Sequence, residues 1–189
     1  LKNLFSIHTF NISSISDVRG DMMEIRILNK SDAQLYQEVR LSALQINPEA
    51  FGSTYEREVN FSLDTVAERL ETTNDKFVLG AFNENNLLVG IVTFMRESNM
   101  KTSHKGNVFG MYVAPEGRGQ GVGKLLMRKL IDRAKSCEGL EQIKLTVVSD
   151  NISAKKLYMS LGFKVYGVER NALKFNGLYC DEDLMVLHM

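Results

Sequence analysis

The stretch from Val108 to Ala134 limits what this chain can fold into more than any other. Val108 to Val113 is apolar and β-branched enough to be a strand. Val122, Leu125, Leu126, Leu130, Ile131 and Ala134 then recur at helical spacing. Between these two runs, Gly117, Gly119, Gly121 and Gly123 strip side chains from the turn that opens the helix. Such a turn presents bare N–H groups at the positive end of a helix dipole, and Arg118 adds a cation, a combination suited to holding phosphate. A second strand-like run, Ile143 to Val148, follows the helix, which is expected to end near Gly139. Strand, helix and strand at this spacing form a βαβ crossover, so the two strands should be parallel and near neighbours.

The flanks supply the other elements. Glu24-Ile25-Arg26-Ile27-Leu28 reads as a strand, and Ser31 with Gln34 forms a capping box for a helix bearing Leu35, Val39, Ala43 and Leu44. Pro48 stops that helix. Asn47 to Tyr55 is a loop containing aromatics, and Phe61-Ser62 opens a second helix with Leu63, Val66, Ala67 and Leu70 on its buried face. A hairpin follows, Phe77–Phe82 and Leu87–Met95 around Asn83-Glu84-Asn85-Asn86, and then a polar loop from Glu97 to Gly106. After the central unit, Asp150-Asn151-Ile152-Ser153 caps a further helix that ends at Gly162. Phe163–Val168 is a strand, and Asn176-Gly177 turns into a last strand near Asp183–Leu187. The predicted class is α/β with a mixed sheet, in the order β-α-α-β-β-β-α-β-α-β-β.

A chain of 189 residues suffices for one domain with a proper core. Residues 23–189 are expected to form it. Leu1 to Met22, rich in Ser, Asn and Ile, reads as an N-terminal extension outside the core, or else as a short docking arm at a homodimer interface. Lys plus Arg equals Asp plus Glu at 23 each, which gives no general basic face for nucleic acid. No apolar run approaches the ~20 residues that a membrane span requires. Cys137 and Cys180 are isolated and match no metal spacing, so a reducing, cytoplasmic setting without a metal is the simpler expectation.

Two common owners of glycine-rich turns fail on spacing. A P-loop needs Gly-x-x-x-x-Gly-Lys-Ser/Thr, but Arg118 stands where its first Gly belongs and Leu125 where the hydroxyl belongs. A dinucleotide fingerprint started at Gly119 would need glycine where Lys124 stands. What fits is the run Arg118-Gly119-Gln120-Gly121-Val122-Gly123, R-x-x-G-x-G, between strand and helix. Together with Asn151-x-x-Ala154-x-x-Leu157-Tyr158-x-x-Leu161-Gly162-Phe163, it resembles the GNAT superfamily of acetyl-CoA-dependent N-acetyltransferases. The resemblance covers essentially Met23 to Met189, including the order of elements.

That resemblance implies a set of roles. The amides of Arg118, Gly119, Gln120, Gly121, Val122, Gly123 and Lys124 would wrap the pyrophosphate of coenzyme A, with Arg118 adding charge. Met111, Tyr112 and Val113 would offer backbone groups to the pantetheine arm, and Asn151 would hydrogen-bond the same region while also capping its helix. Tyr158 would return a proton to the departing thiolate. Each residue also has a plainer alternative: a surface arginine, a helix cap, a core tyrosine. The general base is unassigned: where some family members carry a glutamate on the central strand, this chain has Asn107, and Glu97, His104, Tyr112 or a water relay could substitute. Acceptor recognition would come from the first two helices, their connection and the last hairpin, where Phe51, Tyr55, Glu49, Glu56 and Glu58 are candidates. The expected activity is direct acetyl transfer from acetyl-CoA to a primary amine of a small molecule or peptide, without an acyl-enzyme. The alternative is a GNAT module that binds acyl-CoA without turnover.

Overall fold

The computed structural model describes residues 23–189, so the expectations for Leu1 to Met22 lie outside the described residues. Seven strands form one mixed sheet: β1 (Glu24–Ile27), β2 (Lys76–Phe82), β3 (Leu88–Arg96), β4 (Lys105–Val113), β5 (Gln142–Val148), β6 (Lys164–Phe175) and β7 (Leu178–His188). Their spatial order is β1-β2-β3-β4-β5-β7-β6. Among the described strands only β4 and β5 run parallel; every other neighbouring pair is antiparallel. The crossover between β4 and β5 is α4 (Val122–Ala134), as the strand–helix–strand spacing predicts.

Helices cover both faces. On one side α4 and α5 (Ile152–Ser160) pack on Phe77, Leu79, Val92, Phe94, Ile143, Leu145 and Val147. Leu126, Met127 and Leu130 of α4 are wholly buried there. On the other side α1 (Ala33–Ile46) and α3 (Leu63–Arg69) close over Leu28, Val78, Phe82, Ile91 and Tyr112. β2 and β3 are therefore covered on both faces, which is why they read as nearly continuous apolar runs rather than as alternation.

Several local expectations shift. A short helix α2 (Tyr55–Glu58) begins at the last residue of the expected loop, capped by Thr54, whose hydroxyl accepts from the Arg57 amide. The capping box before α1 is built by Asn29 and Asp32 rather than by Ser31 and Gln34. Asp32 wins because it also takes a two-pronged ion pair from Arg26 of β1, at 2.7 and 2.9 Å, a tertiary contact no local pattern contains. Leu35 and Leu63, expected on buried faces, are 40% and 48% exposed. α4 stops at Ala134, short of Gly139. β4 begins at Lys105, inside the predicted polar loop, and β6 and β7 extend through polar residues to the Asn176-Gly177 turn. An edge hairpin with one solvated face tolerates such residues. Among the described residues, no helix is long and apolar enough to cross a membrane.

Candidate active site

The turn into α4 keeps its amides free. Gly117 and Arg118 N–H groups close a 3-10 turn on Ala114 and Pro115 carbonyls, and Lys124 and Leu125 donate to the Gly121 carbonyl. Among the described residues, the amides of Gly119, Gln120, Gly121, Val122 and Gly123 find no protein acceptor. Gly119 and Gly121 adopt φ of +75° and +78°, a left-handed geometry that points successive N–H groups to one side, and a Cβ on either would meet nothing within 4 Å. A run of unpaired amides around open space at a helix start fits an anionic group such as pyrophosphate.

The other two glycines serve packing instead. A Cβ on Gly117 would press on Val89 and Val113, and one on Gly123 would press on Leu157 and Met111, all at 3.2 Å. The side chains of the turn are also partly committed. Arg118 folds back, its Nε donating to the Val113 carbonyl at 3.0 Å and its Nη2 to Asn47 Oδ1 at 2.9 Å. Gln120 Nε2 donates to the Glu116 carbonyl. Val122 is a core residue and Met111 packs beside it, so only their backbones are available to a ligand. Lys124 is exposed, and its own amide is used within the turn, which leaves its ammonium.

Beside this turn the sheet opens. The β4–β5 ladder pairs Lys105 with Gln142, Gly106 with Ile143 and Asn107 with Lys144, and then ends. β4 next carries a bulge, in which Gly110 and Met111 oppose Val92 alone on β3. Beyond Asn107 and Lys144 the facing edges of the two strands have no ladder partner, so an extended chain can lie between them and bond in strand fashion. Phe109 and Thr146 flank the opening and are exposed.

α5 closes one side of it. Asn151 Oδ1 accepts from the Ala154 amide at 3.1 Å, the expected cap, while its Nδ2 protons remain available. Tyr158 is 6% exposed, its ring edge-on to Phe163, and its hydroxyl bonds to no described residue. Burial pushes its phenol up to about 12, so it is a protonated donor throughout the neutral range. An unforeseen ion pair anchors the start of α5: Lys155 Nζ contacts buried Asp183 at 2.6 Å and donates to the Ser149 carbonyl at 3.0 Å.

On the opposite face of the sheet, Glu58 of α2 binds Arg40 of α1 (2.8 Å) and Arg69 of α3 (3.0 Å). Burial raises the Glu58 carboxyl, but hydrogen bonds from Arg40 and Ser53 and the two guanidinium charges outweigh it and leave it below the usual carboxylate value. Glu58 therefore ties the helices together rather than facing solvent, unlike the acceptor-recognition role for which it was a candidate. A groove of about 500 Å³ lies between the α1–α2 connection and the β6 end of the hairpin, lined by Glu49, Phe51, Tyr55, Glu56, Lys174 and Phe175 among others. Phe51 and Tyr55 thus stand in a groove wall, between the segments expected to meet an acceptor. Among the described residues, no three His, Cys, Asp or Glu side chains gather closely enough to hold a metal.

The model of the acetyltransferase (GNAT) family matches residues 40–163. The L-amino acid N-acetyltransferase AaaT of Escherichia coli (strain K12) is 32% identical over 94 residues, 50% of this chain and 57% of that protein. The match thus spans little more than half the length of that relative. An acetyltransferase of the GNAT family from Streptococcus pneumoniae superposes with a TM-score of 0.79 at 23% identity, covering 88% of this chain and 99% of that one. The Salmonella typhimurium protein yncA, solved with its cofactor acetyl-CoA, superposes with a TM-score of 0.76 at 25% identity, covering 88% and 93%.

Proposed function

The chain belongs to the GNAT acetyltransferase family, and on that premise we propose that it transfers the acetyl group of acetyl-CoA directly to a primary amine of a small molecule or peptide. The observation that carries this reading is the run of unpaired amides from Gly119 to Gly123 opening beside the parted strands β4 and β5. Pyrophosphate would take the amides, the pantetheine arm would lie along the Met111–Val113 edge with Asn151 beside it, and Lys124 would stand near the phosphates. Arg118 would contribute by bracing the turn on Val113 and Asn47.

The chemistry follows from the residues around the opening. A backbone N–H at the β4 bulge can polarise the thioester carbonyl as the amine adds. The C–S bond then breaks, and Tyr158 protonates the departing sulfur. Its upward-shifted phenol favours the protonated form that this step requires. The amine would enter from the face carrying Phe109, Thr146 and the groove at Phe51 and Tyr55. The relative's designation as an L-amino acid N-acetyltransferase supports a small amine, so L-amino acids head the acceptor panel.

Two measurements test the reading. Acetyl-CoA and CoA should raise the melting temperature while ATP and NAD do not, since only a ligand of the native state stabilises it. Thiol release should then appear with at least one amine from a panel of L-amino acids, polyamines, aminoglycosides and peptide N-termini. No stabilisation by either CoA species would overturn the reading; stabilisation without release across the panel would leave a binding module.

A further inference from the structure

An amine reaches such a site largely as an ammonium ion and must lose a proton before it can attack. The position expected to carry a base holds Asn107, and geometry argues against the three side chains considered as substitutes from sequence. His104 precedes the first β4–β5 rung, and its carbonyl accepts the amides of Glu141 and Gln142 at the closed end of the ladder. Glu97 Oε1 lies 3.5 Å from Asn107 Nδ2 at that same end. Hydrogen bonds from Thr102 and Asn107 hold Glu97 below the usual carboxylate value, which makes it a weaker base. Tyr112 is buried, its hydroxyl 3.5 Å from Ser42 Oγ.

A different carboxylate faces the open part of the sheet. Asn107 and Lys144 are paired, so strand alternation puts Phe109 and Thr146, two residues further on each strand, on the same face and at the opening. That face is opposite to α4 and α5, whose core takes Leu145 and Val147. On β7, Glu182 pairs with Val148 and shares the face, with its Oε1 3.5 Å from Thr146 Oγ1. Resting on the acetyltransferase reading above, we propose that Glu182 is the general base, taking a proton from the acceptor ammonium beside Thr146.

The surrounding charges suit that task. Burial, and then the charge of Glu169 directly across on β6, pushes the Glu182 carboxyl above its usual value. Thr146 opposes this weakly through its hydrogen bond. β5 also brings Lys144, whose ammonium lies 5.6 Å from the Tyr166 ring centroid. The 3-10 turn Pro48–Ala50, which packs over β5 and β6, brings Glu49. Asp181 and Asp183, the chain neighbours of Glu182, alternate to the other face and are paired with Arg170 and Lys155. Two carboxylates side by side attract a cation, and the one with the higher proton affinity is the better acceptor of its proton. Protons balance: the ammonium gives one to Glu182, the N–C bond forms and the C–S bond breaks. After attack the nitrogen loses its second proton to solvent, solvent returns one to the Tyr158 oxygen, and the net products are the amide, the CoA thiol and the proton held by Glu182.

The test uses the full chain with whichever amine of the panel it acetylates. Glu182→Gln should lower kcat about 10²-fold or more at neutral pH, with KM for acetyl-CoA and the CoA-induced rise in melting temperature unchanged. It should also abolish the acidic limb of the kcat/KM profile. The deficit should shrink for methoxyamine, a weakly basic acceptor already unprotonated at neutral pH. Glu169→Gln, which keeps the base but removes its neighbouring charge, should move the acidic limb to lower pH while turnover persists. Wild-type turnover with an unaltered Glu182→Gln profile, or an acidic limb unmoved in Glu169→Gln, would overturn the proposal alone. A wild-type protein that binds CoA but acetylates no amine would overturn the acetyltransferase reading beneath it.

Discussion

Asn107 and Lys144 are the last paired residues between β4 and β5, and the next outward-facing residues, Phe109 and Thr146, flank an opening instead of continuing the ladder. A parallel pair joined over so short a length leaves the remainder of both edges with backbone donors and acceptors to satisfy. The unpaired amides at Gly119 to Gly123 lie at the same end of β4. The unpaired strand edges and the helix start thus present two groups of backbone donors at one end of β4, separated by the 3-10 turn whose Gly117 and Arg118 amides are already bonded.

Tyr158→Phe removes a hydroxyl that bonds to no described residue, so the fold should keep its melting temperature to within a few degrees. If the phenol protonates the departing sulfur, kcat should fall about 10²-fold or more. Because burial holds this phenol at about 12, no alkaline limb below pH 10 should vanish in the variant. Steady-state thiol release across pH measures both effects.

Gly121→Ala places a Cβ in the left-handed region at φ +78°, at a cost of ~1–2 kcal/mol, although the space around it is open. The strain should be relieved by turning the local amides away, weakening acetyl-CoA binding about tenfold or more. Gly123→Ala is a contrasting control. Its Cβ would press on Leu157 and Met111, so it should perturb the packing of α4 on α5 more than the cradle. Isothermal titration and thermal melts of the two variants distinguish these effects.

Glu58→Gln leaves the Arg40 and Arg69 guanidinium groups without their shared counter-charge. Arg40 is nearly enclosed, its side chain 12% exposed, so the loss should be about 3–5 kcal/mol, seen as a fall in Tm on the order of 10 °C. The pH dependence has a definite sign. Glu58, Asp32 and Asp183 all have carboxyls held below their unfolded values. Their contribution is complete above the ordinary carboxylate range and is lost as pH falls through the lowered values. Urea midpoints should therefore decline on acidification below about pH 4, and Glu58→Gln should flatten that decline.

Lys155→Met cuts the ion pair that fastens the start of α5 to β7 and leaves Asp183 with the Ser149 hydroxyl, which donates to it at 2.5 Å. Since Asn151 and Tyr158 sit on the element so anchored, KM for acetyl-CoA should rise and kcat should fall together. Lys155→Arg, which retains the charge, should recover part of both.

Local patterning was enough for the strands, the major helices and their order. The apolar runs of β2 and β3, the helical spacing after Val122, Ser62 and Asn151 as caps, and the Asn176-Gly177 turn each carry their meaning within a few residues. The donor end of the candidate site was legible for the same reason, because a glycine turn before a helix is a local object. Long-range pairing was not legible. Asp32 displaced the expected capping box because Arg26 reaches it from another element. Glu58 reads as a candidate for acceptor recognition until α1, α2 and α3 converge on it.

By itself, then, the sequence determined a β-rich mixed sheet with a phosphate-suited turn at Gly119 to Gly123, since backbone propensity and side-chain periodicity act between near neighbours. Only the tertiary structure decided where the sheet parts, which glycines take the left-handed turn into open space and which make room for Leu157 and Val89. It also decided which carboxylate lies beside Thr146. Glu182 is separated by 36 positions from Thr146, and nothing but strand pairing brings the two to 3.5 Å.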